Sequence, residues 1–243
     1  MGIFNDYLRE GKGVEKGTDF RPRIVIFFDI YFRKFWKLIV INLLYILFCI
    51  PIITIGPATA AMTKILRNYA REEHSFIWSD FWNTFKQNFL TGFVVGTIDI
   101  IAAFLLWFDL GSYLNMQASS IMVTISLAVI MLSATILLFM NYYIFVMMVT
   151  FKLSFAQLIK NAFIFAWVGF FRNLLITILI AIITVISAVL ILGQSPATAF
   201  VVMFVIFLYF STCGLICNFI TYPLIKKHMI DGYDPETGER LDK

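Results

Sequence analysis

Charge is what this sequence has least of. Only 14% of its 243 residues are Asp, Glu, Lys or Arg and 60% are hydrophobic, whereas an ordinary soluble domain carries about 25% charged residues. A chain so poor in charge does not read as a standard globular enzyme. It lacks the low hydrophobicity of a disordered chain, the glycine period of a collagen and the concentrated basic charge of a nucleic-acid binder. Cysteine is scarce too: Cys49, Cys213 and Cys217 all fall inside long apolar runs, which argues for buried thiols and against a disulfide framework. No His, Asp or Glu accompanies the Cys213 and Cys217 pair, so no metal site is expected there. A nucleophile elbow, a Walker loop, an HExxH helix and a paired-carboxylate constellation are all missing. Neither an enzyme nor a cofactor is expected.

What is present is a series of long runs without charge. They cover 26 residues between Lys37 and Lys64, 42 between Asp109 and Lys152, and 53 between Arg172 and Lys226. Each exceeds the roughly 20 residues that cross a hydrocarbon core. The longest must hold two spans, and Gly193, Ser195 and Pro196 supply a turn near its middle. The expected fold is therefore an all-α polytopic bundle with five hydrophobic segments, over about 35–55, 89–108, 120–145, 173–192 and 198–222. Residues 1–34 read as a basic cytoplasmic segment with no cleaved signal, and 226–243 as a cytoplasmic tail too irregular in ligand spacing for a calcium loop.

Lys and Arg set the orientation. Residues 1–37 hold eight of them, 56–88 four, 150–172 three and the C-terminal tail four, while 109–117 and 193–197 hold none. The empty loops should face outward and the rest the cytoplasm. Both sides of the first run then lie on one side of the membrane. Pro51, Gly56 and Pro57 interrupt that run, so it reads as a broken hairpin with a helix over about 35–50 and a shorter returning half-helix over about 57–70. A plain crossing that defies the charge count is the other reading. The net charge of +4, gathered in the cytoplasmic segments, suits anionic lipid without invoking nucleic acid.

These residues also carry a resemblance. The stretch NLLYILFCIPIITIGPATAAMTKILRNYAREEHSFIWSDFWNTFKQNF, Asn42 to Phe89, preceded by GKGVEKGT (Gly11 to Thr18) and FRKFWKLI (Phe32 to Ile39), resembles the YesL family of bacterial integral membrane proteins. Over the remaining chain the similarity is mainly one of hydropathy. The resemblance implies a multi-pass protein of the bacterial cytoplasmic membrane with no catalytic residues. The genes of such proteins often lie beside those for sugar-binding ABC transporters and polysaccharide-degrading enzymes, which implies a link to carbohydrate uptake and to permease or ATPase subunits as partners.

Three sets of residues are candidates for function. Thr54, Gly56, Pro57 and Thr59 form a small, polar-edged break that either exposes backbone and a helix N-terminus to a solute or ion, or merely permits close packing. Asp99 sits midway along an apolar span, where a carboxylate must face protein. It is either a proton or cation site, a counter-ion to Lys64 or Arg67, or a protonated acid bonded to a neighbouring Ser, Thr or Asn. Gly92 and Gly96, on its stripe, suit close helix contact. Asn42, Asn141, Asn161, Asn173 and Asn218 lie in or beside spans and are expected to make interhelical hydrogen bonds, while His74 and His228 read as solvated.

Two segments read as interfacial helices, over about 79–88 and 154–166. In the first, Ser79 is the expected N-cap, Asp80 suits the first turn, Phe81, Trp82, Phe85 and Phe89 make an apolar face, and Lys86 lies opposite. Superposing Phe81 on Phe155 also aligns Lys86 with Lys160, which suggests a weak repeat of short helix, outward span and inward span. Either segment would serve to dock a partner. Taken together, the expected role is a non-catalytic accessory of a carbohydrate uptake system, with a small-solute carrier built on Asp99 and the broken helix as the alternative.

Overall fold

The structure, a computed structural model, describes residues 22–114, 121–193 and 196–231. Most of the expected basic N-terminal segment, the C-terminal tail beyond Asp231 and part of both uncharged loops lie outside the described residues. All regular structure among the described residues is helical: α1 (Arg23–Arg33), α2 (Phe35–Cys49), α3 (Ile55–Ala70), α4 (Ile77–Gln87), α5 (Phe89–Leu114), α6 (Ile121–Met148), α7 (Phe155–Val168), α8 (Phe170–Leu192), α9 (Thr198–Phe204) and α10 (Phe210–Met229). A π-helical turn, Val205–Tyr209, joins α9 to α10 into one rod. Four helices are long and apolar enough to cross a membrane: α5, α6, α8 and the α9–α10 rod. The protein is a polytopic helical membrane bundle.

The first hydrophobic run does not make a fifth crossing of that kind. Proline has no N–H to continue the ladder, so α2 stops just before Pro51, and a short 3₁₀ turn, Ile52–Thr54, leads into α3. The two helices run antiparallel. At one end Lys34 lies over the Tyr69 ring, 5.4 Å from its centroid, and Arg33 pairs with Glu72 at 3.1 Å; near the turn the Tyr45 and Thr59 hydroxyls meet at 3.3 Å. The break is shorter than expected, and Gly56 and Pro57 belong to the first turn of α3, where a missing N–H leaves no intrahelical bond unmade. The returning arm, at 16 residues, is longer than the 15-residue α2. It ends in a Schellman motif, Glu73 N–H to Asn68 O and Glu72 N–H to Tyr69 O, with Glu72 at φ 58° where glycine is usual.

Three glycines set the depth of this hairpin. A Cβ on Gly56 would overlap the Gly92 carbonyl oxygen, and one on Gly92 or Gly96 would come within 2.9 Å of backbone atoms of Pro57 or Gly56. Lipid supplies no hydrophobic drive between helices, so such backbone contact is how helices hold one another there. Gly96 lies seven residues into α5, about 10 Å along at roughly 1.5 Å per residue. The start of α3 therefore sits well short of the far end of α5.

The core is lopsided. Phe139 through Met148 of α6 are all buried except Asn141, whereas none of residues 121–138 is. The buried residues form two clusters, one around the ends of α6 and α10 with α7, the other around α1–α4 and the middle of the α9–α10 rod, joined where α3 packs on both α6 and α10. Beyond them the long helices expose Ile101, Leu105, Ile125, Leu132, Ile182 and Val185, faces suited to a bilayer. The helix α1 was not foreseen. Its inner side buries Ile30 with Phe27 and Tyr31, and Ile24, Phe28, Phe32 and Trp36 follow at intervals of four as an exposed stripe between basic residues, the pattern of a helix lying at a membrane surface.

The two segments expected to be interfacial are α4 and α7. The helix α4 begins at Ile77, so Ser79 lies inside it, and the Asp80 carboxylate reaches back to accept the Phe76 N–H at 2.9 Å. Its apolar face is covered by protein: Phe81 is 1% exposed and stacks with Phe85 around Phe48 of α2. Phe155, superposed on Phe81 by the sequence, is 40% exposed, and the buried face of α7 is instead Leu158, Ala162 and Phe165. The order of elements repeats, but the residue register of the repeat does not. Ser154 and Gln157 form a capping box on α7, a signal present in the sequence.

The glycine seam makes a prediction. Gly56→Ala should lower stability by about 2–3 kcal/mol, the upper range for overpacking, because the obstacle is backbone; Gly111→Ala, whose added Cβ would meet no atom within 4 Å among the described residues, should not lower it. Thermal unfolding of the detergent-solubilised protein, followed by size-exclusion fluorescence, distinguishes the two.

Candidate functional site

The polar groups of the hairpin break are turned inward. The Thr54 hydroxyl donates to the carbonyl oxygens of Phe48 at 2.5 Å and Pro51 at 2.6 Å, closing the free C-terminal carbonyls of α2, and Thr59 donates to Ile55 O at 2.7 Å. Gly56 and Pro57 are buried beneath α5. At these four positions the polar groups are bonded and Gly56 and Pro57 are buried, while Thr54 and Thr59 stay half-buried.

Asp99 faces α6. Its carboxylate accepts from Asn141 Nδ2 at 3.0 Å, and Asn141 also donates to Leu137 O of its own helix at 3.3 Å. The structure pairs Asp99 with Asn141 and not with Lys64 or Arg67, which lie toward the other end of α3 from Gly56, Arg67 bonding instead to Val149, Thr150 and Asn68.

Arg67 is 4% exposed and is the most demanding group in the protein. It donates to Val149 O and to Thr150 Oγ1, both at 2.8 Å, and to Asn68 Oδ1 at 3.0 Å. Asn68 passes the network on to Ser75 Oγ at 2.9 Å. The guanidinium thus caps the C-terminal end of α6, where helix carbonyls present partial negative charge, and ties α3, the loop before α4 and α6 together. No carboxylate bonds to it, and its Nε has no acceptor among the described residues.

Beside Arg67 lies a cavity of about 550 Å³. Its walls are Lys64 of α3, Thr84 and Gln87 of α4, Asn88 and Thr91 at the start of α5, Met148 at the end of α6, the connection Val149–Leu153, and Leu158 of α7. Two helices that can cross a membrane, α5 and α6, therefore begin or end at its wall. Of the residues expected to dock a partner, Phe81 and Phe85 are spent on the hairpin; Trp82 and Lys86, 4.6 Å apart in a cation–π contact, and the exposed Phe155 and Lys160 remain at the surface.

Several asparagines make the expected bonds, and two do more than join helices. Asn42, fully buried, donates to Ile206 O and accepts from Ser211 N–H, both at 2.8 Å, thereby satisfying backbone groups at the π-helical turn. Asn173 accepts from the Tyr143 hydroxyl at 2.6 Å and donates to Ala166 O at 3.0 Å, pinning α6 to the α7–α8 junction. A polar residue alone in an apolar run was the only sequence signal for either. Among the described residues, no group of three or more His, Cys, Asp or Glu could hold a metal ion.

Residues 38–110 match a family model described as a protein of unknown function, DUF624. The match covers nearly all of α2, with α3 and α4, and most of α5, which is the unit the glycine seam closes. No curated protein and no solved structure matches the chain.

The Arg67 network predicts a contrast between two arginines. Arg67→Met should cost about 2–3 kcal/mol, the scale of hydrogen bonds to a charged group, since it leaves Val149 O and Asn68 unpaired. Arg33→Met, removing an exposed pair with Glu72, should cost no more than about 1 kcal/mol. Unfolding midpoints of the two purified variants test this.

Proposed function

We propose that the protein is a non-catalytic accessory or regulatory component of a carbohydrate uptake system in a bacterial cytoplasmic membrane, and that it is a YesL-type protein. The observation that carries this reading is the closed hairpin: Thr54, Thr59, Gly56 and Pro57, which a carrier would open to its solute, bond or pack within the protein. Orientation follows from charge. Arg33, Lys34, Lys64, Arg67, Arg71, Lys152 and Lys226 belong to the end of the bundle where α3, α6 and α10 terminate, and that end faces the cytoplasm by the positive-inside rule, with both termini. The hairpin then enters from the cytoplasmic side and returns to it. Exposed aromatics on that side, Phe76, Trp78, Phe155 and Trp167, offer contact surface to a permease or ATPase subunit.

The Asp99–Asn141 pair favours a second reading, a small carrier coupled to protons or cations. The two roles separate on purification. An accessory protein extracted in mild detergent co-purifies with sugar-transporter subunits and moves no sugar alone in liposomes; a carrier transports without them. In the carrier case Asp99→Asn abolishes coupled flux at normal membrane levels, and in the accessory case it leaves co-purification intact.

A further inference from the structure

We propose that the cavity beside Arg67 is a binding site for a phosphate-bearing anion, of the kind carried by an acidic lipid headgroup or by a soluble phosphate ester. The inference stands whichever of the two roles holds.

The first ground is uncompensated charge. Two lysines, Lys64 and Lys152, line the cavity, and among the described residues no Asp or Glu does. The acids electrostatically nearest Lys64 are Asp80 and Glu73. Neither makes an ion pair with Lys64: Glu73 pairs with Arg71 at 2.7 Å, and Asp80, which keeps its charge, accepts the Phe76 N–H at 2.9 Å. One turn further along α3, Arg67 is buried with only neutral acceptors, and it donates to Val149 and Thr150, which are themselves cavity walls. The end of α6 and the more distant Glu73 offset part of the cost of burying that cation, and an anion bound in the cavity offsets more.

The second ground is the chemistry of the remaining walls. Gln87 and Asn88 supply amides and Thr84 and Thr91 hydroxyls, while the first turn of α5 begins beside the cavity and adds the partial positive charge of a helix N-terminus. The opposing negative end, that of α6, is already covered by the Arg67 guanidinium. The C-terminal end of α4, at Gln87 in the same wall, opposes the partial charge of α5, so the preference for anions rests on the two lysines.

The third ground is position. The cavity opens where α5 starts and α6 ends, which is headgroup depth for helices of crossing length, and basic pockets at that depth between transmembrane helices select acidic lipids. A volume of about 550 Å³ holds a phosphate with its glycerol or sugar ester.

The test uses the full chain. Protein from nanodiscs of phosphatidylcholine mixed with phosphatidylglycerol is released into detergent and weighed by native mass spectrometry. In parallel, inorganic phosphate and glycerol 3-phosphate are titrated against thermal unfolding. Retention of phosphatidylglycerol over phosphatidylcholine supports the site with lipid as its source; stabilisation by the soluble phosphates supports it with a solute as its source. In either arm Lys64→Gln and Lys152→Gln should each weaken binding about fivefold, the worth of one lysine at a membrane surface. Lys64→Arg should retain it and the exposed Lys227→Gln should leave it unchanged. If Lys64→Gln does not fold, the exposed Lys152→Gln carries the test alone. Equal retention of both lipids with no response to phosphate overturns the proposal. So does an equal loss in Lys227→Gln, which would mean bulk charge and not this cavity.

Discussion

Polar groups that leave water must find partners within the protein, and in this chain that requirement decides where the helices meet. Arg67 is the extreme case: a guanidinium almost wholly removed from solvent, satisfied by a helix end, a threonine and an asparagine. Its bonds to Val149 and Thr150 fix the returning arm of the hairpin against the end of α6. Asn42 fixes the outgoing arm against the α9–α10 rod, Asn173 fixes the α7–α8 junction against α6, and Asn141 joins α6 to α5 through Asp99. Each of these residues joins elements distant in the chain, and dispersion contacts then fill the space between. The three glycines play the complementary part, bringing backbone close enough for the bonds to form at the right depth.

The same division accounts for the lopsided core. At the charged end the helices crowd together and Tyr69, Tyr143 and Phe81 are almost completely enclosed. Toward the other end the four long helices have few polar side chains to pair and few neighbours to touch, so lipid is their solvent. A bundle of this kind is organised like a soluble domain at one end and like separate membrane helices at the other. That arrangement places the cavity, the exposed aromatics and the amphipathic α1 together, on the side where water, headgroups and protein partners are all within reach.

How much of this was legible in the sequence follows from which signals are local. Uncharged runs marked α6, α8 and the α9–α10 rod, an apolar stretch broken only by Asp99 marked α5, and Pro51 marked the break, because hydropathy and proline act within a few residues. The outer limits shifted where interfacial turns continued the helix past the apolar run, as at Gly111 to Leu114 and at Met147 and Met148. The helix α1 was hidden because Arg23, Asp29 and Arg33 dilute its hydropathy, although its spacing of aromatics at every fourth residue was there to be read. At the site, Asp99 and Asn141 were each marked as polar residues in apolar surroundings. Their pairing, across 42 residues, leaves no periodic trace. The destination of Arg67 was misread for the same reason: nothing near it in sequence announces that α6 ends beside it.

The bond from Asn42 to the π-helical turn has a consequence in time. Its partners, Ile206 and Ser211, are made 164 and 169 residues later, and at roughly 5–20 residues per second of synthesis that is a delay of about 10–30 seconds. Through that interval the outgoing arm of the hairpin holds an amide with nowhere to bond except water, headgroups or the insertion machinery. The outgoing arm of the hairpin thus waits for its final seat until the far later Ile206 and Ser211 arrive to complete it.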